Sequence, residues 1–288
     1  METKLKKLKI LLEMIKFEHT VFAMPFALMG AFLAARGAPS LQVFFWVLLA
    51  MVGARTCAMG FNRIVDRHFD AANPRTAHRA LPAGQVTLLE SWAMVIAAGV
   101  LFFFACSMLN LLTLQMAPLA LGLTLFYSLT KRFTWLCHLV LGLALAFSPL
   151  GGWVAVSASF QGYPWVLSLG VVFWVAGFDC VYACQDADFD RKAGLFSTPS
   201  IFGRRNGFRV AVAFHALAFF LFILTGLQTG LNYWYYCGIA VTGGSLFYQH
   251  LIVNPRDLSR IKQSFFSMNG LISLTLFITT CIALATGA

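Results

Sequence analysis

LQVFFWVLLAMVGARTCAMGFNRIVDRHFD, residues 41–70, decides the fold. Its first part, 41–61, is apolar and long enough to cross a bilayer core of about 30 Å. It runs directly into a polar cluster, Asn62-x-x-x-Asp66-x-x-x-Asp70. A second apolar run ends the same way, in Tyr182-x-x-x-Asp186-x-x-x-Asp190. Residues four apart share a helix face, so each cluster is expected to stack two carboxylates about 6 Å apart with a polar side chain one turn above them. Like charges at that spacing repel, and a carboxylate near the bilayer centre costs on the order of 3 kcal/mol, so such groups line a cavity and find counter-charges. The expected partner is Mg²⁺, with Mn²⁺ as a substitute. Mg²⁺ takes one or two carboxylates and completes its shell with water and phosphate oxygens, which points to a phosphate-bearing substrate at a membrane face.

Composition agrees with a chain that lives in lipid: 59% of its 288 residues are apolar, 11% are charged, and the mean hydropathy is +0.77. Apolar runs recur at 17–35, 41–61, 88–109, 111–128, 135–157, 164–183, 208–228, 231–250 and 267–286. The expectation is an all-α integral membrane protein of about nine transmembrane helices around a central cavity, forming a single domain over 1–288.

The net charge of +10 is a topology signal and does not indicate nucleic-acid binding, because the Lys and Arg fall in alternate loops. Lys4, Lys6, Lys7, Lys9 and Lys16, the group Arg63 to Arg79, Lys131 and Arg132, the group Arg191 to Arg209, and Arg256 to Lys262 all belong to one side. Only Arg36 lies opposite. The positive-inside rule then places the N-terminus and both acidic clusters in the cytoplasm. The basic start is read as leading into a retained first span, not a cleaved signal peptide. Seven cysteines without a CxxC pair read as small apolar fillers.

The two longest polar loops, 62–87 and 184–207, follow the two acidic spans, and loops of that length are usually functional. Asp66-Arg-His-Phe-Asp70 and Asp186-Ala-Asp-Phe-Asp190 share the form D-x-x-F-D four spans apart, as expected of two similar half-sites facing one another. Upward from the first cluster, Arg55, Met59, Asn62, Asp66 and Asp70 follow one stripe. Arg55 either pairs with a nearby acid or recognises an anionic substrate group. The second stripe is Asp179, Tyr182, Asp186 and Asp190. There Asp179 orients Arg55 or a substrate hydroxyl, or is a satisfied buried acid. Positive charge for a diphosphate is available from Arg67, Arg75, Arg79, Lys131, Arg132, Arg191 and Lys192.

These residues together resemble the UbiA superfamily of intramembrane aromatic prenyltransferases over nearly the whole chain. Its first motif, N-D-x-x-D-x-x-x-D followed by R-T-x-x-R-x-L-P-x-G, is matched by NRIVDRHFDAANPRTAHRALPAG from Asn62 to Gly84, with Arg63 in place of the acid after the Asn. Its second, D-x-x-Y-x-x-x-D-x-x-x-D, is matched by DCVYACQDADFD from Asp179 to Asp190, and YSLTKRFT from Tyr127 is similar to a basic loop that helps hold diphosphate. The wording is closest to the bacterial 4-hydroxybenzoate polyprenyltransferase branch, which includes relatives of the futalosine route to menaquinone.

The resemblance implies that a polyprenyl diphosphate enters from the bilayer and presents its diphosphate to Mg²⁺ held by Asp66, Asp70, Asp186, Asp190 and Asn62. Arg67, Lys131, Arg132, Arg191 and Lys192 would hold the diphosphate, and Tyr127 and Tyr182 would offer ring faces to the allylic cation. Arg55 would receive the carboxylate of an aromatic acid, with Asn62 and Asp179 close by. It also implies a bacterial inner membrane location with the site opening to the cytoplasm. The acceptor read first is 4-hydroxybenzoate, for respiratory quinone synthesis, with 1,4-dihydroxy-6-naphthoate as the alternative. A cation-coupled transporter is the competitor from another class, though its ion would sit nearer the midplane. The compact D-G-x-x-A-R motif of CDP-alcohol phosphotransferases is absent.

Overall fold

The computed structural model describes residues 20–287 together with Ile10, Leu11, Glu13 and Met14. Lys4, Lys6, Lys7, Lys9 and Lys16, and the first residues of the expected span 17–35, lie outside the described residues. The described chain is helical, with one isolated bridge pairing Asn254 and Asp257. In chain order the helices are α1 (Thr20–Ala35), α2 (Leu41–Val65), α3 (Arg67–Ala72), α4 (Leu88–Ser107), α5 (Leu111–Thr130), α6 (Cys137–Ser157), α7 (Trp165–Ala183), α8 (Ala187–Lys192), α9 (Thr198–Phe202), α10 (Arg204–Thr229), α11 (Tyr233–Ile252) and α12 (Asn269–Ala285). Side chains start several of them. Ser40 and Asn110 accept backbone N–H bonds at the entries to α2 and α5, and Thr87 with Glu90 closes a capping box on α4.

Among the described residues, seven helical segments are long and apolar enough to cross a membrane: α2, α4, α5, α6, α7, α10 and Phe266–Ala285, which runs into α12. The two other long helices fall short of that measure. The apolar part of α1, Ala23–Ala35, is short, and α11 carries Tyr233, Trp234, Gln249 and His250. Their positions match the first and eighth expected spans, but length and composition establish seven.

Packing runs as a ring of neighbours, α1–α2–α4–α5–α6–α7–α10–α11–α12 and back to α1, with a chord where α1 packs directly on α6. α7 is the most enclosed, with 67% of its apolar window buried. Phe26 of α1 lies 5.1 Å from Trp174 of α7 and 5.8 Å from Phe222 of α10, ring centre to ring centre, joining three helices in one core. The outer faces are as apolar as the core. On α4, Leu89, Trp92, Ile96, Val100 and Phe104 project outward at helical spacing. An exposed stripe of that extent suits lipid and not water.

The chord is possible because two glycines remove side chains from it. A Cβ on Gly30 would collide with the carbonyl of Pro149, and one on Gly152 with the carbonyl of Ala27. Both obstacles are backbone, which cannot swing aside. Gly151, one residue away, faces open space. Gly152→Ala is therefore expected to destabilise the purified protein by about 1–3 kcal/mol, whereas Gly151→Ala leaves its melting temperature unchanged or slightly raised; thermal melts of the two variants side by side check this.

Candidate functional site

The C-terminal ends of α2, α5 and α7 meet the N-terminal ends of α6 and α10 at one end of the bundle, and the polar residues of both motifs gather there. Neither motif is one continuous helix, as the sequence spacing implied. α2 ends at Val65 and α3 begins at Arg67, while α7 ends at Ala183 and α8 begins at Ala187. The breaks have a common cause. Side chains claim the carbonyls that would carry the helix onward: Arg67 Nη1 and Arg132 Nη2 donate to Ile64 O and Val65 O, and Gln185 Nε2 and Arg204 Nε donate to Tyr182 O and Cys184 O. Asp66 and Asp186 stand at the breaks as caps of the short helices. The four-residue spacing survives, since Asp70 N donates to Asp66 O at 2.8 Å and Asp190 N to Asp186 O at 2.7 Å.

Each of the four carboxylates has its own cation. Arg132 Nη2 is 3.6 Å from Asp66, Arg79 Nη1 2.7 Å from Asp70, and Lys131 Nζ 3.2 Å from Asp190. Arg75 grips Asp186 with two nitrogens, Nε donating to Oδ1 at 2.8 Å and Nη2 to Oδ2, and its Nη1 donates to the Tyr182 hydroxyl at 3.3 Å. Asn73 Nδ2 adds a bond to Asp186 Oδ1 at 3.0 Å. The loop after the first motif thus reaches across to the second.

Asn62 Nδ2 donates to Asp66 Oδ2 at 2.8 Å, so its amide sits in the cluster as expected. Arg63, where the motif form has an acid, is buried and holds Asn62 Oδ1 at 3.2 Å, with Asp70 Oδ2 3.9 Å away. Asp70 Oδ2 is itself buried and accepts no hydrogen bond from the described residues. An unpaired lone pair on a buried carboxylate, in a set of hard oxygen donors, fits a divalent cation. Among the described residues no three His, Cys, Asp or Glu side chains are gathered closely enough to hold an ion alone. A metal here would draw on carboxylate pairs, water and substrate oxygens.

Other expected residues are placed differently. Arg67 caps the end of α2 through Ile64 O, Arg191 donates to Ser200 O and lies 4.0 Å from Asp188, and Lys192 is exposed. Tyr127, Asp179 and Arg55 lie deeper and partly buried, with Arg55 two turns before Asn62 on α2. Sequence reasoning gave no site role to Asn73 or His138, and offered Arg75 and Arg79 only as positive charge available to a diphosphate. Arg75 and Arg79 stand within the R-T-x-x-R segment and were visible as charge; His138, which bonds Asp179, carried no signal.

Electrostatics follow the pairing. Burial pushes the Asp186 carboxyl up, but the bonds and charge of Arg75, with Asn73, outweigh it and hold the group below the usual carboxylate range. Burial prevails at Asp190, which is raised despite Lys131. At Asp66, burial and the neighbouring Asp70 push the carboxyl up to about 6. An acid with a folded value above its ordinary 3.8 binds its proton more tightly when folded. It favours the folded state below about pH 4 and loses that contribution as pH rises through about 6. The melting temperature of metal-free protein should therefore fall more in the wild type than in Asp66→Asn between about pH 4 and about pH 7.

A profile of the UbiA prenyltransferase family matches residues 23–271. The 4-hydroxybenzoate octaprenyltransferase of Vibrio cholerae serotype O1 is 32% identical over 237 residues, covering 82% of this chain and 83% of that one. Its counterpart from Escherichia fergusonii is 32% identical over 255 residues, covering 87% and 86%. Among solved structures, the apo structure of a UbiA homolog from Aeropyrum pernix K1 superposes with a TM-score of 0.85 at 36% identity, covering 92% of this chain and 98% of that one. A UbiA homolog from Archaeoglobus fulgidus, solved with GPP and Mg²⁺, shares the fold at a TM-score of 0.70 and 19% identity, covering 96% and 99%.

Proposed function

The chain belongs to the UbiA prenyltransferase family, and from that premise we propose that it joins the polyprenyl group of a polyprenyl diphosphate to a ring carbon of 4-hydroxybenzoate, releasing diphosphate, for quinone synthesis. The observation that carries this reading is the bridge from Asn73 and Arg75 to Asp186, which draws two acidic motifs into one site ringed by cations. The whole chain acts as a single domain of nine spans in a bacterial inner membrane, N-terminus and site on the cytoplasmic side. Family membership weighs against the cation-coupled transporter weighed from the sequence.

Asp66, Asp70, Asp186, Asp190 and the Asn62 amide would hold Mg²⁺. Bound there, the metal supplies charge neutralisation for the departing diphosphate. Arg75, Arg79, Lys131 and Arg132 already stand among these carboxylates and are placed to bind phosphate oxygens. Loss of the allylic C–O bond leaves a cation that water would quench, and the apolar walls keep water away. Beyond Arg55, farther from the acidic cluster, α2, α5 and α6 line an apolar crevice through Met51, Met116, Ala120 and Phe147, which would take the prenyl tail. Tyr127 and Tyr182 would face the cation, worth roughly 1–2 kcal/mol per well-placed ring. Arg55 would receive the acceptor's carboxylate.

The test is a competition assay with purified protein, Mg²⁺ and polyprenyl diphosphate, offering 4-hydroxybenzoate and 1,4-dihydroxy-6-naphthoate together. Prenylated 4-hydroxybenzoate supports the proposal; prenylated naphthoate alone reassigns the acceptor, and no product with either overturns the reading. Asp66→Ala and Asp186→Ala should abolish turnover, and normal activity in either contradicts the metal role. Arg55→Ala should chiefly raise the KM for the acceptor, by about tenfold to a hundredfold for loss of one charged hydrogen-bonded pair.

A further inference from the structure

His138 opens α6, while Asp179 lies on α7, one turn before Tyr182 and two before Asp186. Their side chains meet, with His138 Nδ1 2.7 Å from Asp179 Oδ2. The other ring nitrogen is also engaged, because the backbone N–H of Thr198 donates to His138 Nε2 at 3.3 Å. A nitrogen that accepts a hydrogen bond carries a lone pair, so the ring proton is on Nδ1 and is donated to the carboxylate. The His138 side chain is 2% exposed and that of Asp179 13%, so the carboxylate keeps an accessible face. Oδ1 is the carboxylate oxygen that His138 does not engage. Asp179 stands two turns deeper than Asp186, and its charge reaches Tyr127 and Lys131, the latter paired with Asp190.

We propose that Asp179 is the proton acceptor for the hydroxyl of the aromatic acceptor, and that His138 is the positioning residue that fixes its free oxygen toward that hydroxyl. This deepens, and rests on, the prenyl transfer proposed above. When the allylic cation bonds to the ring carbon beside the hydroxyl, positive charge reaches the phenolic oxygen. The O–H proton then passes to Asp179 Oδ1, leaving a neutral carboxylic acid and a dienone. The released diphosphate takes the proton from the newly bonded ring carbon as aromaticity returns, and Asp179 gives its proton back to the oxygen. The net change is one C–O bond broken, one C–C bond formed and one ring proton carried off by diphosphate.

His138 holds Oδ2 and so aims Oδ1, and Thr198 fixes the tautomer that lets it do so. The same turn of chain ties this dyad to the acidic cluster, since Ser197 Oγ donates to Asp190 Oδ2 at 3.3 Å. A buried pair of purely structural purpose would hold α6 against α7 and touch every step alike. A positioning pair affects only the fate of the cation.

The experiment follows radiolabelled polyprenyl diphosphate with purified full-length protein, Mg²⁺ and 4-hydroxybenzoate, measuring prenylated acceptor and prenyl alcohol separately. In His138→Phe, kcat for prenylated acceptor should fall about tenfold to a hundredfold. The KM for the donor should hold, and the share of cation captured by water as prenyl alcohol should rise. His138→Asn places an amide N–H where Nδ1–H stands and should restore most of the coupling. Asp179→Asn should lose as much as His138→Phe, and the double variant no more than either. Unchanged coupling in His138→Phe overturns the proposal. So does an equal fall in both products that His138→Asn does not repair. If His138→Phe does not accumulate, the near-isosteric Asp179→Asn carries the same product ratio. No prenylated product from the unaltered chain would count against the function itself, an outcome separate from an active wild type with indifferent variants.

Discussion

Four carboxylates at the edge of an apolar bundle repel one another and resist leaving water, and much of the local architecture follows from that constraint. Arg75, Arg79, Lys131 and Arg132 each answer one acid, and each comes from a loop. These loops therefore lie over the bundle end, pinned by charge. The breaks after Val65 and Ala183 belong to the same arrangement. Arg132 neutralises Asp66 and also takes the carbonyl that would have prolonged α2, so one guanidinium both ends a helix and balances its cap. Its guanidinium carbon lies 5.6 Å from the centre of the Phe69 ring, a contact that helps hold the short α3 beneath it.

The positions of the long helices were legible because each is announced by a long apolar run. The run 41–61 becomes Leu41–Val65, and 111–128 becomes Leu111–Thr130. The gathering of the acids at one end of the bundle was legible too, since a helix-spaced Asp at the end of such a run has few innocent explanations. The breaks were not, because no Pro or Gly marks Asp66 or Asp186. The carbonyls there are taken by side chains up to 67 residues away, and no local pattern encodes that. The same distance hid the pairing of Arg75 with Asp186, 111 residues apart, and of His138 with Asp179, 41 apart. Arg75 at least advertised a charge; a single His in an apolar run does not.

Rigidity and adaptability are divided between parts of the molecule. α7, enclosed on most sides, carries the second motif and offers little room for movement. The first motif's loop, from Asn73 to Gly84, is held by turns and by its bonds to Asp70 and Asp186. Arriving phosphate oxygens would compete for the same Arg and Lys groups, so adjustment to a ligand falls to side chains at the loops while the helices stay in place.

The glycine contacts of the chord also shape how this sequence can drift over time. At Gly30 and Gly152 any side chain meets a neighbouring main chain, so the permitted alphabet is one letter, and a change at either site needs a matching shift of a whole helix. The lipid-facing stripe of Leu89, Ile96 and Val100 imposes only apolarity, satisfied by half a dozen residue types. Descendants of this chain are therefore free to diverge quickly on the outside of α4 and slowly along the α1–α6 seam. Two chains of this architecture can then differ at most positions while keeping their backbones in register.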